Sequence, residues 1–295
     1  MKIINYLQGG MKRIGVLRDG AIADLSEPFS RYGLRVDSLD SLLEMNLLDR
    51  LDGALSESST SLKLSETTLL PPIQRPEKIM LAAVNYYSHE REQGVNRPEM
   101  PYLFTKFRNA LAGPYDDVLL PKASSKMDYE GELAVIIGKK GKYIKKTNAL
   151  EHVLGFAVAN DISFRDLQFP LGWPSVTNPY GQNWLRGKSL DSAFPLGPYA
   201  VTIDEIGDPH SLGIRTTVNG ELRQDGSTSD MIFGVDELIE YASNGITLLP
   251  GDVISTGTPQ GVAAFSQKTF LKDGDVVEVT VSRVGYIRNR VKREQ

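Results

Sequence analysis

The stretch Asp128-Tyr129-Glu130-Gly131-Glu132-Leu133-Ala134-Val135-Ile136-Ile137-Gly138 constrains the chain more than any other. An apolar, β-branched run bounded by glycine reads as a buried strand, and residues two apart along a strand share a face. Glu130 and Glu132 therefore point the same way. Two carboxylates side by side at the mouth of an apolar strand repel each other, and burying them unpaired is costly unless a cation lies between them. The stretch admits two readings: a divalent-metal site, or a solvent-facing strand edge with Tyr129 and Leu133 turned inward.

The rest of the composition narrows the choice of metal chemistry. No cysteine occurs, which excludes disulfides, thiolate metal sites and cysteine nucleophiles. Three histidines, His89, His152 and His210, leave little room for a multi-His zinc site, whereas carboxylates suit Mg²⁺ or Mn²⁺. With 295 residues, 41% hydrophobic and 24% charged, the chain is of ordinary globular make-up and long enough for a large core. A net charge of −4 and the absence of a long basic block speak against a nucleic-acid partner. The lysines clustered at Lys139, Lys140, Lys142, Lys145 and Lys146 read as a solvated turn. No apolar stretch reaches the roughly 18 residues of a membrane span, and Met1 to Gly10 has too short an apolar core for a signal peptide, so the expected compartment is the cytoplasm. Met11-Lys12-Arg13 looks like a second start, which makes the first ten residues an extension of little structural weight.

Along the chain, residues 13–25 read as a β-hairpin turning at Asp19-Gly20. An amphipathic helix from Leu39 to Leu51 follows, capped by Asp37 or Ser38 and ended by Gly53. Leu70-Pro71-Pro72-Ile73 marks a boundary, giving a small N-terminal domain at 1–70 and a second domain at 71–295. Beyond it the chain is a succession of short strands, at 79–84, 102–107, 118–120, 132–137, 154–159, 199–203, 214–218, 253–255, 276–281 and 286–291. A helix at Val235 to Ser243 interrupts them. The fold class is α+β and β-rich, a sandwich or roll with a few helices, and not a doubly wound α/β fold.

Four stretches carry chemistry at strand ends. In Asn85-Tyr86-Tyr87-Ser88-His89-Glu90-Arg91-Glu92, His89 and Glu92 share a face on a helical turn, as a carboxylate-held general base for water does and as ordinary surface residues also do. Glu130 and Glu132 form the second. In the third, Asp161 ends an apolar strand and serves either as a third metal carboxylate or as a helix cap, while Arg165 and Gln168 follow at a spacing suited to an acid or keto substrate. The fourth joins Lys188, beside Gly187, to the turn Thr256-Gly257-Thr258. Both offer positive or hydrogen-bonding contacts to an anion, and both types of segment also occur as plain surface features.

In this order the four stretches resemble the fumarylacetoacetate hydrolase superfamily, whose motifs run Asn-Tyr-x-x-His-x-x-Glu, acid-x-acid, Asn-Asp-x-Ser-x-Arg-Asp-x-Gln, Gly-Lys-Ser-x-Asp and Gly-Asp-x-Ile-x-Thr-Gly-Thr-Pro, over about Lys78 to Val291. The branch it looks most like holds acylpyruvases and 2-hydroxyhepta-2,4-diene-1,7-dioate isomerases. The resemblance implies a mixed β-sandwich roll, a homodimer, and a Mg²⁺ or Mn²⁺ ion on Glu130, Glu132 and Asp161. It implies substrate contacts from Lys188, Arg165, Gln168 and Thr258, and a closing segment that carries His89 and Glu92. Such a site can stabilise the enolate left by C–C bond hydrolysis of an acylpyruvate or another 2,4-dioxo acid, with His89 and Glu92 activating water and Lys188 meeting developing charge. It also suits decarboxylation or isomerisation of a 2-oxo or 2-hydroxy-dienoic acid. A non-catalytic, metal-stabilised protein is the reading from another class. The segment Phe169 to Trp184 is longer and richer in proline and aromatic residues than the family's commoner form, and is expected to shape a pocket or a packing contact.

Overall fold

The computed structural model describes residues 1–58, 61–172 and 182–295. Its strands form a 12-stranded sheet whose main path runs Ser61–Lys63, Ala21–Asp24, Met11–Arg18, Lys2–Gln8, Phe194–Thr202, Val153–Asn160, Gly131–Ile137, Val253–Ser255, Ile79–Ala83 and Tyr102–Lys106. A five-stranded sheet, ordered Glu221–Ser227, Gly213–Val218, Val276–Val281, Gly285–Arg293 and Val118–Leu120, packs against its centre. The α+β, β-rich class expected from the sequence is the one observed. Among the described residues no helix is long and apolar enough to cross a membrane.

Gly131–Ile137 lies inside the larger sheet, antiparallel to Val153–Asn160 on one side and to Val253–Ser255 on the other. Leu133, Val135, Ile136 and Ile137 are fully buried. Each contributes about 1.5–3 kcal/mol of burial free energy before chain entropy is counted, which is how one strand can carry acids into the interior. Gly131 faces the second sheet so closely that a Cβ there would lie 2.3 Å from the Thr216 hydroxyl and 2.9 Å from Val279. By alternation Glu130 and Glu132 face the opposite way. The solvent-facing edge is therefore not what this strand forms.

Two expectations are corrected, and one strand is added. The first ten residues are no loose extension: Lys2–Gln8 pairs with Met11–Arg18, Phe194–Thr202 and Thr68–Leu70, and Ile3, Ile4 and Tyr6 are fully buried. Gly9 and Gly10, both with positive φ, close the first turn, so the glycines taken as the end of a tail are a hairpin loop. The helix expected over 39–51 is split into Leu39–Glu44 and Leu51–Glu57. Ser38 caps the first, accepting from the Ser41 N–H, and Asn46 ends its run in the left-handed conformation that asparagine tolerates; Gly53 lies inside the second helix. Glu221–Ser227 is a strand that no hydrophobic alternation announces, because it is held by pairing with Gly213–Val218. The lysines at 139–146 are exposed, as expected.

Candidate active site

Backbone pairing assembles the acids. Gly131 is in register with Asn160, and the Asp161 N–H donates to the Glu130 carbonyl at 2.8 Å, so the third carboxylate is delivered beside the first. The Asn160 side chain accepts from the Glu130 N–H at 2.9 Å and fixes that junction. Glu130, Glu132 and Asp161 are all buried, and one carboxylate oxygen from each lies within 4.8 Å of the others. Three oxygen donors converging from two adjacent strands are a hard-cation donor set.

Around them lie buried cations. Lys188 Nζ, at the end of the short helix Trp184–Lys188, donates to Glu130 Oε2 at 2.6 Å and to Asp161 Oδ2 at 2.7 Å. Arg165 donates from Nε to Asp128 Oδ2 at 2.8 Å, from Nη1 to Gln168 Oε1 at 2.9 Å, and from Nη2 to Glu130. Lys106 Nζ lies 2.8 Å from Asp161 Oδ1 and donates to the carbonyls of Ile162 and Ala193. Burial opposes the charge on Glu130, yet Lys188 and Arg165 outweigh it and hold this carboxyl well below the ordinary range. Glu132 is the opposite case. It accepts from the Ser255 hydroxyl and, at 3.1 Å, from the Gly257 N–H, and the described residues give it no cation within ion-pair distance. Burial, reinforced by the neighbouring charges of Asp161 and Glu130, pushes its carboxyl well above the ordinary range. Gly257 can approach because its φ is positive and a Cβ there would lie 2.9 Å from the Ala82 carbonyl oxygen. The donor set thus fits a divalent ion, with Glu132 as the acid whose charge the protein leaves uncompensated.

The helix Tyr87–Gln93 covers this floor. Asn85 pins its start, donating to the carbonyls of Thr256 and Phe233 and accepting from the Phe233 N–H, and the Ser88 N–H donates to Asp230. His89 is 4% exposed, and its Nδ1 lies 3.0 Å from Glu92 Oε2. Glu92 is itself fixed by the Gly261 N–H at 2.9 Å, and His89 Nε2 lies 2.6 Å from the Gln93 amide nitrogen. That network assigns the proton to Nδ1 and the lone pair to Nε2, which accepts from the Gln93 amide; His89 and Gln93 both line the cleft.

A cleft of about 430 Å³ joins these groups. His89, Glu130, Glu132, Asp161, Arg165, Gln168, Lys188 and Thr258 all line it, and Glu92 stands behind His89. Thr258 is bonded on both sides, to the Gly131 carbonyl and the Gln224 amide. Sequence reasoning passed over Lys106 and Asp128. Both were legible by strand parity, since Lys106 alternates with Phe104 and Tyr102, and Asp128 alternates with Glu130 and Glu132. Of the aromatic segment 169–184, residues 173–181 lie outside the described residues; Phe169, Gln182 and Trp184 line the cleft.

The sequence model of the family described as Fumarylacetoacetate (FAA) hydrolase C-terminal matches residues 78–292. A curated relative, oxaloacetate tautomerase FAHD2B, mitochondrial, of Bos taurus, is 47% identical over 239 residues, which is 81% of this chain and 74% of that protein. The solved fumarylacetoacetate hydrolase of psychrophilic Exiguobacterium antarcticum superposes with a TM-score of 0.86 at 36% identity, covering 100% of both chains. Maleylpyruvate hydrolase from Sphingobium sp. SYK-6, solved in complex with manganese(II) ion and pyruvate, superposes with a TM-score of 0.78 at 29% identity, also over 100% of both chains.

Proposed function

Because the chain belongs to the fumarylacetoacetate hydrolase family, we propose that it is a metal-dependent enzyme that moves a proton between carbon and oxygen of a 2-oxo acid, interconverting keto and enol forms. The observation that carries this reading is the buried His89–Glu92 pair, whose imidazole lines one cleft with the three carboxylates and keeps its Nε2 lone pair as an acceptor, met here by the Gln93 amide. Glu130, Glu132 and Asp161 would hold Mg²⁺ or Mn²⁺, which when bound withdraws electron density from the keto and carboxylate oxygens of such an acid and lowers the cost of enolate charge.

Once the Gln93 amide gives way to substrate, His89 Nε2 would take the proton from carbon and deliver it to the enolate oxygen, and the reverse transfer restores the keto form. Glu92 holds the tautomer that puts the lone pair on Nε2, and supports the positive charge the imidazole gains. Lys188 and Arg165 supply positive charge to the substrate oxygens, while the Gln168 amide offers a hydrogen bond and Thr258, its hydroxyl proton held by the Gly131 carbonyl, shapes the same wall. The name of the bovine relative agrees with this chemistry. Hydrolysis of a C–C bond in an acylpyruvate or other 2,4-dioxo acid is the second reading, favoured by the same pair, because a base fixed this way can equally take its proton from water; the Sphingobium neighbour is a hydrolase. Decarboxylation of a 2-oxo acid needs the metal site but no such base.

The test follows the decay of enol-oxaloacetate absorbance with Mn²⁺ present. The variant His89→Gln is expected to lose about 10²–10⁴ in kcat, with Mn²⁺ affinity by calorimetry close to that of the unaltered protein. Equal turnover in both proteins overturns the assignment. Acylpyruvate in ¹⁸O-labelled water separates the second reading, since only hydrolysis places label in a new carboxylate. As assembly and compartment we propose a homodimer and the cytoplasm. Sedimentation tests the first, and cell fractionation tests the second against the mitochondrion that the bovine relative's name gives for that protein.

A further inference from the structure

The cleft is larger than a small 2-oxo diacid needs. A four-carbon diacid occupies on the order of 100 Å³, a few water volumes of ~30 Å³ each, against the 430 Å³ here. One wall of the cleft is aromatic. Along the strand Tyr102–Lys106 alternate side chains walk from the mouth to the floor: Tyr102 is 50% exposed, Phe104 is half-buried, and Lys106, at 2%, meets Asp161. Each step of two residues advances about 6.5–7 Å. The short helix beside it repeats the gradient. Lys188 reaches the carboxylates with its Nζ 5.2 Å from the Phe104 ring centroid, and one turn earlier Trp184 stacks on Phe104 and Tyr102, with ring centroids 4.6 and 5.6 Å away. Val95 and Pro98 also line the cleft, with the uncharged amides of Asn96 and Gln182. Among the described lining residues every charged group is on the floor or on the His89 helix, and the two floor cations that line the cleft, Arg165 and Lys188, are each engaged by two carboxylates.

We propose that the wall made by Tyr102, Phe104 and Trp184 is a subsite for an aryl tail, so that the preferred substrate is a 2-oxo acid whose far end is aromatic and uncharged. This rests on the floor being the 2-oxo acid site proposed above. A distal carboxylate placed against this wall leaves water without meeting a cation, whereas an aryl ring covers aromatic faces that already pack on one another in tilted contacts, Trp184 on Phe104 and on Tyr102. The sides of the cleft thus sort the substrate's two ends by chemistry.

Benzoylpyruvate and acetylpyruvate share one 2,4-dioxo acid head and differ only in phenyl against methyl. Their binding to the Mn²⁺-loaded protein, measured by titration calorimetry, is expected to favour benzoylpyruvate at least tenfold. In Trp184→Ala the ratio is expected to fall below threefold, and in Trp184→Phe to return most of the way. Tyr102→Ala, at the exposed mouth, provides the same test should Trp184→Ala fail to fold. Equal binding of the two acids by the unaltered protein overturns the subsite, as does a tenfold ratio that survives loss of either ring. If benzoylpyruvate binds preferentially but neither acid nor oxaloacetate is turned over, the subsite stands and the proposed reaction falls. If oxaloacetate is turned over and the binding ratio is one, the reaction stands and the subsite falls.

Discussion

Glu130 and Glu132 sit two residues apart on one face of one strand, equally removed from water, and their surroundings differ in sign. Glu130 is met by the guanidinium of Arg165 and the ammonium of Lys188. Glu132 is met by a hydroxyl and a backbone N–H, which orient a carboxylate but supply no full charge. Both are positioned, and only one is neutralised. A protein that made no use of a cation would have little reason to leave the second carboxylate so. The contrast therefore says more about the site than the presence of three acids does, because acidic clusters are common and a buried, uncompensated member is expensive.

The comparison breaks most easily by removing each charge in turn in the presence of a chelator. Glu130→Gln leaves buried cations short of a partner and is expected to destabilise the fold by about 3–5 kcal/mol in chemical denaturation. Glu132→Gln removes a charge the fold does not balance, and is expected to stabilise the ion-free protein by about 1–2 kcal/mol while abolishing the stabilisation that Mn²⁺ gives. Shifts of the same sign in the two variants would show that the asymmetry has no energetic content. A smaller effect sharpens the same contrast. Because the Glu132 carboxyl is raised above its ordinary value of 4.5, its contribution to the ion-free fold is fully present below that value and is lost as pH rises through the raised one. A cation needs the ionised form, so the rise in Tm on adding Mn²⁺ is expected to grow from about pH 5 to about pH 8. A thermal shift independent of pH would place the proton elsewhere.

What could be read from the sequence divides along the same physical lines. Strands at 118–120, 253–255 and 276–281 were legible to the residue because they are short apolar or β-branched runs bounded by turn residues. The shared face of Glu130 and Glu132 followed from strand parity alone. Parity also pointed to Asp128 and Lys106, which went unread because an acid or a lysine at a strand end is ordinary until its partner across the fold is known. The strand Glu221–Ser227 could not be read at all, since its neighbour and not its own pattern makes it a strand. The aromatic wall needed three rings brought together from two separate stretches, and no spacing along the chain encodes that.

The N-terminal strand has a consequence for how the chain is made. Met1 ends beside Thr202, 201 positions away in sequence, and Lys2 and Ile3 take Val201 and Ala200 as partners. During synthesis Lys2–Gln8 emerges with the hairpin partner Met11–Arg18 and later Thr68–Leu70, while its remaining flank stays open until Ala200 and Val201 have left the ribosome. The nascent chain must carry an unsealed sheet edge from the synthesis of Leu70 to that of Val201. Its vulnerable period is therefore measured in elongation time, and slowing the ribosome should favour misassembly here, where in a protein of local contacts it favours folding.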